Sequence, residues 1–234
     1  MISSLMSFWS TDRALSLLLV FLCGLIFVVV PLGEMHVLGR VVLGASVSLL
    51  LISGVMAVRR DALTVVLVGG LVVASLAVRW TRVALGVPGL EAWNAFFSMI
   101  ACAALAAVVL AQVFRSGPIT SHRIQGAIAV YLLLGLLWAF GYELVDLMRP
   151  AAFSPAQASS DFSHFLYFSF IALTTVGFGD ITPVDPLARS LASLEALVGQ
   201  LYPAILLARL VTLATMHETS PPQDTTDETK ARRP

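Results

Sequence analysis

Near the C-terminal end of the chain, Thr174-Thr175-Val176-Gly177-Phe178-Gly179-Asp180 sets two glycines in alternation with Val176 and Phe178 and closes on an aspartate. Glycine loses much conformational freedom on ordering, so the alternation implies a backbone that needs unusual torsion angles or a close approach. Torsion angles that alternate around Gly177 and Gly179 can aim successive carbonyl oxygens toward one axis. The chemistry on offer is therefore main-chain: carbonyl oxygens that replace the hydration shell of a cation. No other chemistry competes with it. The chain has no Walker loop, no zinc-ligand spacing and no nucleophile elbow, so nothing proposes an enzyme or a cofactor.

The elements that would hold such a backbone are apolar. The 234 residues are 58% hydrophobic and 12% charged, with net charge zero, against about 25% charged in an average soluble domain. No basic block offers a surface to nucleic acid. Crossing roughly 30 Å of hydrocarbon takes about 20 apolar residues in a helix. Charge-poor runs of that order lie at 14–33, 37–58, 62–78, 92–114, 124–147 and 186–215, which predicts six spanning helices embedded in lipid. Cys23 and Cys102 fall inside such runs and read as small buried thiols. The first run has no basic stretch before it and no small-residue cleavage site after it, so it is expected to be a mature helix.

Residues 148–185, between the fifth and sixth runs, do not fit a simple loop. Positions 149–160 are polar and rich in Pro, Ala and Ser, and read as a surface turret. Ser160 or Asp161 is placed to cap a second apolar piece. A helix over 162–174 would be roughly 20 Å long at about 1.5 Å per residue, so it must turn back part-way across. The five residues 175–179, extended, return roughly 15 Å at about 3.3 Å each. Such a re-entrant backbone is tolerated only when buried in protein or lining a water-filled path.

In this setting the stretch resembles the selectivity filter of the potassium channel superfamily, flanked in the expected order by an outer helix, a pore helix and an inner helix. The resemblance covers about residues 120–216. It implies an all-α membrane protein: six transmembrane helices, a re-entrant pore helix and an extended filter, four copies surrounding one pore. It also implies that Thr175, Val176, Gly177, Phe178 and Gly179 supply backbone ligands, with the Thr175 hydroxyl at the innermost potassium site. Thr174, Asp180, Tyr167 and Phe168 would support the filter. Two departures stand out. Phe178 replaces the commoner filter tyrosine and has no hydroxyl to anchor it, and Tyr167-Phe168 stand where the family often has a tryptophan pair.

The same resemblance makes Gly199 the inner-helix hinge, with Pro203 one turn below; Gly199 reads equally as a packing notch. Asp185-Pro186 is a helix start, Asp as the cap and Pro in the first turn. Glu195, four residues before Gly199, shares its helix face. It would reach Ser169, Thr174 or Thr175 and brace the filter from behind, so Glu195→Gln is expected to weaken the tetramer or speed closure of the filter; the alternative is a glutamate merely wetted by the cavity. A voltage sensor needs several arginines at three-residue spacing, but 92–114 carries no charge at all. Arg79 and Arg82, flanking Trp80, read as an interfacial anchor. The expected organisation is a four-helix membrane bundle over 1–118, a pore domain over 119–216 and a polar disordered tail over 217–234, with both termini cytoplasmic in a cell membrane of bacterial type. The leading expectation is a potassium-selective homotetrameric channel. A weakly selective cation channel, a transporter subunit with a filter-like loop, and an accessory or sensor protein built on the first four helices are the alternatives.

Overall fold

A computed structural model describes residues 16, 18–29, 45, 47–49, 52, 62–85, 89–114, 121–155 and 162–218. The expected span at 14–33 is therefore described in part, that at 37–58 lies largely outside the described residues, and the cap at Ser160 or Asp161 and the tail beyond 218 lie outside them. Within the first span, a helical stretch Leu18–Val28 passes into a π-helical turn at Leu25–Val29.

The continuous elements are α1 (Ala62–Leu85), α2 (Leu90–Val113), α3 (Ser121–Met148), a short strand β1 (Phe153–Ser154), α4 (Phe162–Leu173), β2 (Thr182–Pro183) and α5 (Pro186–Glu218). Among the described residues, three helices are long and apolar enough to cross a membrane: Leu90–Val113, Arg123–Met148 and Pro186–Arg209. They make this an integral membrane protein. Each arises from a run whose exposed positions are mostly apolar, so no polar stripe is needed.

Gly89 opens α2 in the left-handed conformation (φ 89°) that ends one chain direction and starts the next. α1 packs on α2, α2 on α3, and α3 on both α4 and α5. One apolar core runs through the whole set, from Leu18, Leu22 and Val47 through Cys102, Leu105 and Val109 to Leu133, Phe140, Phe165 and Phe168. Cys102 is a buried free thiol and Cys23 a partly buried one. Ser16 Oγ donates to Gln125 Oε1 (2.6 Å), tying the N-terminal stretch to α3.

Two expectations need correction. The stretch 149–160 is not a wholly polar turret: Ala152 and Phe153 are buried, and β1 pairs antiparallel with β2, Phe153 opposite Pro183. Burial of one aromatic ring outweighs the polar average of its neighbours. Arg79 is not an interfacial anchor either. α1 continues through it to Leu85, it is 8% exposed, and its Nη2 donates to Ser98 Oγ of α2 (3.0 Å). Trp80, beside it, is exposed.

Candidate functional site

The site begins where α4 stops short. Its last turn closes with Thr174 N donating to Phe170 O (3.0 Å), Thr174 Oγ1 to the same oxygen (2.6 Å), and Thr175 N to Ala172 O (2.9 Å). The chain then reverses along the helix it has left, held by Gly177 N to Ile171 O (3.1 Å). Thr175, Gly177 and Gly179 have positive φ (58°, 56° and 80°), and the residues between them do not. In a regular strand successive carbonyls point to opposite sides, because the backbone repeats every two residues. A left-handed residue at every second position undoes that alternation, so consecutive carbonyls can face one side. Thr175 holds such a conformation without being glycine, a strained state that surrounding contacts must maintain.

One such contact is direct. Gln200 Nε2, on α5, donates to Thr175 Oγ1 (2.7 Å). Val176 and Phe178 are exposed on the single chain, Phe178 having no hydroxyl to hold it to α4. The Tyr167 side chain of α4 interacts instead with that of Asp180, two residues beyond Phe178. Phe168, by contrast, is buried, edge-on to Tyr142 (4.9 Å between centroids) and to Phe153 (5.2 Å).

Behind α4 the packing is close enough to exclude side chains. A Cβ built on Gly135 of α3 would fall 2.6 Å from the Phe170 ring, and one on Gly199 of α5 only 1.8 Å from Leu173 O. Gly199 therefore sits as a notch against the C-terminal end of α4. Leu173 O also accepts from Tyr131 of α3 (3.2 Å). Tyr202, below Gly199, donates to Ala127 O of α3 (2.8 Å), and α5 remains helical through Pro203.

Glu195 is fully buried, 0% exposed, at the meeting point of three helices. Its two carboxyl oxygens contact Tyr142 Oη of α3 and Ser169 Oγ of α4, each at 2.5 Å. Ser169 Oγ lies in addition 2.8 Å from Gly135 O. Of the three partners expected for Glu195, the structure supplies Ser169. Thr174 and Thr175 turn instead to Phe170 O and Gln200.

At the outer end, Asp185 caps α5 through Leu187 N (2.8 Å), as its Asp-Pro signal predicts. Arg149 Nη1 pairs with the same carboxylate at 3.0 Å, and this hydrogen bond, with the cap, holds Asp185 below the usual carboxylate range. Tyr142 and Gln200 were missed as site residues from sequence. A lone Gln after the Gly199 position is a visible polar break in an apolar helix, whereas Tyr142 carries no local signal, being 53 residues from its partner.

Known proteins agree with this half of the chain. Residues 127–216 match the family described as ion channel. The chain is 37% identical over 87 residues to Protein LctB of Bacillus caldotenax, covering 35% of this chain and 64% of that protein. It is 32% identical over 80 residues to the inward rectifier potassium channel Kirbac3.1 of Paramagnetospirillum magnetotacticum, covering 32% of this chain and 24% of that protein. The chain thus spans less than two thirds of the length of the relatives it matches. No solved structure matches it. A short helix and a reversing backbone with left-handed residues at alternate positions lie inside the matched stretch, and it is this stretch that is similar to the ion channel family and to a potassium channel.

Proposed function

We propose that four copies of this chain surround one pore and conduct potassium selectively and passively across a cell membrane. The observation that carries this reading is the left-handed torsion at Thr175, Gly177 and Gly179 directly after a helix too short to span. Four such strands bring rings of carbonyls from Thr175, Val176, Gly177, Phe178 and Gly179 around a dehydrated potassium ion, with the Thr175 hydroxyl innermost. One chain holds one such strand, so closed four-fold symmetry completes the site. The carbonyl end of α4 points its partial negative charge at the cation below the filter.

The exposed side of α5 supports assembly. Leu194, Leu197, Leu201 and Ile205 are each half or more exposed on the single chain, a surface that other copies or lipid would cover. Within this reading 119–216 is the pore domain, 1–118 a packing and regulatory bundle, and 217–234 a cytoplasmic tail on the same side as the N-terminus. Tyr167 and Asp180 take over the anchoring that Phe178 lacks, Glu195 and Phe168 hold α4 from behind, and Gly199 with Pro203 marks where the inner helix meets the filter's base.

The test is ion flux from vesicles holding the purified protein. Potassium efflux is expected to exceed sodium efflux by at least about a hundredfold, an energy difference of about 2.7 kcal/mol. Equal fluxes of the two ions would overturn selectivity, and no flux of either would overturn the channel reading.

A further inference from the structure

The contacts around Glu195 allow a proton count in which every short contact holds a proton of its own. Three oxygen–oxygen contacts form a chain: Tyr142 Oη to Glu195 Oε2, Glu195 Oε1 to Ser169 Oγ, and Ser169 Oγ to Gly135 O. All three lie within hydrogen-bond distance, and each contact needs one proton between its oxygens. Gly135 O is a carbonyl and brings none, so the proton in that contact is the one proton of Ser169. Ser169 then has nothing left to donate to Glu195, and the proton between them must come from the carboxyl group. Tyr142 supplies the third. We infer that Glu195 is a neutral carboxylic acid in the working protein, donating to Ser169 and accepting from Tyr142, and that this ordered chain locks the inner helix to the pore helix behind the filter.

The surroundings agree. Glu195 has no exposed surface, and the described ion pair of the pore region, Arg149 with Asp185, lies at the outer end of α5. The groups facing Glu195 are Tyr142 and, further off, Tyr131 on α3, and the non-titratable Ser169 on α4. On α5 itself Arg189 is turned to Pro183 O (3.0 Å), away from the site. Both phenols are neutral at physiological pH, free phenols ionising only near pH 10. A carboxylate at this place would have hydroxyl donors but no cation, the costly form of a buried charge.

The inference reverses the expectation drawn from the sequence for Glu195→Gln. A glutamine is neutral, its amide N–H can donate to Ser169, and its amide oxygen can accept from Tyr142, so all three bonds survive. It rests on the channel reading only through its flux readout. The experiment takes the full-length protein in lipid vesicles and measures potassium flux and infrared absorption together.

Glu195→Gln should keep flux within about threefold of wild type, while Glu195→Ala should lose at least about tenfold, as expected when a buried hydrogen-bond partner is left unmade. In infrared difference spectra of wild type minus Glu195→Gln at neutral pH, the carbonyl stretch of a protonated acid should appear. On raising the pH, wild type should lose flux as Glu195 ionises, and Glu195→Gln should not. Absence of the protonated-acid band, or a fall of Glu195→Gln to the level of Glu195→Ala, would overturn the assignment. Should the alanine variant fail to fold, the infrared band on the wild type still decides. Should the wild type conduct no ion, the channel reading fails while the band places or removes the proton independently.

Discussion

The two sides of the short helix α4 and its returning strand are built on opposite plans. In front, toward the proposed pore, the chemistry is backbone: left-handed torsions at 175, 177 and 179, with the side chains of Val176 and Phe178 exposed. Behind, the contacts are made by side chains and by the lack of them: Ser169, Tyr142 and Glu195 in one buried chain, Gly135 and Gly199 admitting a ring and a carbonyl. On the proposed reading the front must present oxygens without moving to reach the ion, so it uses atoms that every residue carries. The back must fix the front to within fractions of an ångström, so it uses close packing and directional bonds, which tolerate little change. Damage to the front should alter what passes; damage to the back should alter whether anything assembles to pass it.

The sharpest test of that contrast is Gly199→Ala. On an unencumbered helix, alanine would stabilise by about 1 kcal/mol over glycine. Here its Cβ would meet Leu173 O at 1.8 Å, and the carbonyl belongs to a helix end that cannot yield alone. The expected outcome is loss of assembled protein and of flux, read by gel filtration in detergent and by vesicle assay. An assembled variant that conducts normally apart from altered open probability would instead mark Gly199 as a hinge.

Gly177→Ala probes the front. No atom of the same chain lies within 4 Å of the added Cβ, so within one chain the effect is torsional, on the order of 1–2 kcal/mol for a non-glycine residue in the left-handed region. Assembly should persist, while potassium-over-sodium selectivity drops by roughly tenfold for each 1.4 kcal/mol transferred to the filter. Unchanged selectivity would break the assignment of this backbone to ion coordination.

The smallest expected effect lies at the outer rim. Arg149 and the cap hold the Asp185 carboxyl below the usual range, so the ionised form favours the folded state. That contribution is present above the unfolded carboxyl pKa, about 3.9, and fades as pH falls through the lower folded value. Asp185→Asn keeps the cap, since asparagine caps as well as aspartate, and removes the ion pair. Thermal melting followed at falling pH should show wild type losing a small advantage over the variant below about pH 4. Parallel curves at all pH values would show that the pair contributes nothing.

The sequence disclosed the helices more readily than their contacts. Expected limits of 92–114 and 124–147 meet observed helices at Leu90–Val113 and Ser121–Met148, because a long apolar, charge-poor run in lipid must satisfy its backbone internally, which a single segment does as a helix. The short α4 was legible from its length, and the start of α5 from Asp185-Pro186. What stayed hidden is tertiary. Two-residue strands such as Phe153–Ser154 carry no periodicity, and a buried Phe153 in a polar stretch depends on rings brought from 142, 165 and 168. Arg79 looked like a residue for the lipid–water boundary because charge alone cannot reveal a serine waiting on the next helix.

That arginine has a consequence for how the protein enters the membrane. Ser98 lies eight residues into α2, roughly 12 Å along its axis at about 1.5 Å per residue, and Ser75 of α1 meets it as well (3.2 Å). Alone in hydrocarbon, α1 would carry a guanidinium at a cost of about 2.5–3.5 kcal/mol on the insertion scale. Ser98, which accepts from that guanidinium, arrives only with the following helix. If α1 spans the bilayer as the sequence analysis expects, it is poorly suited to leave the insertion machinery by itself, and α1 and α2 would enter as a hairpin, their polar contact made before lipid closes around them.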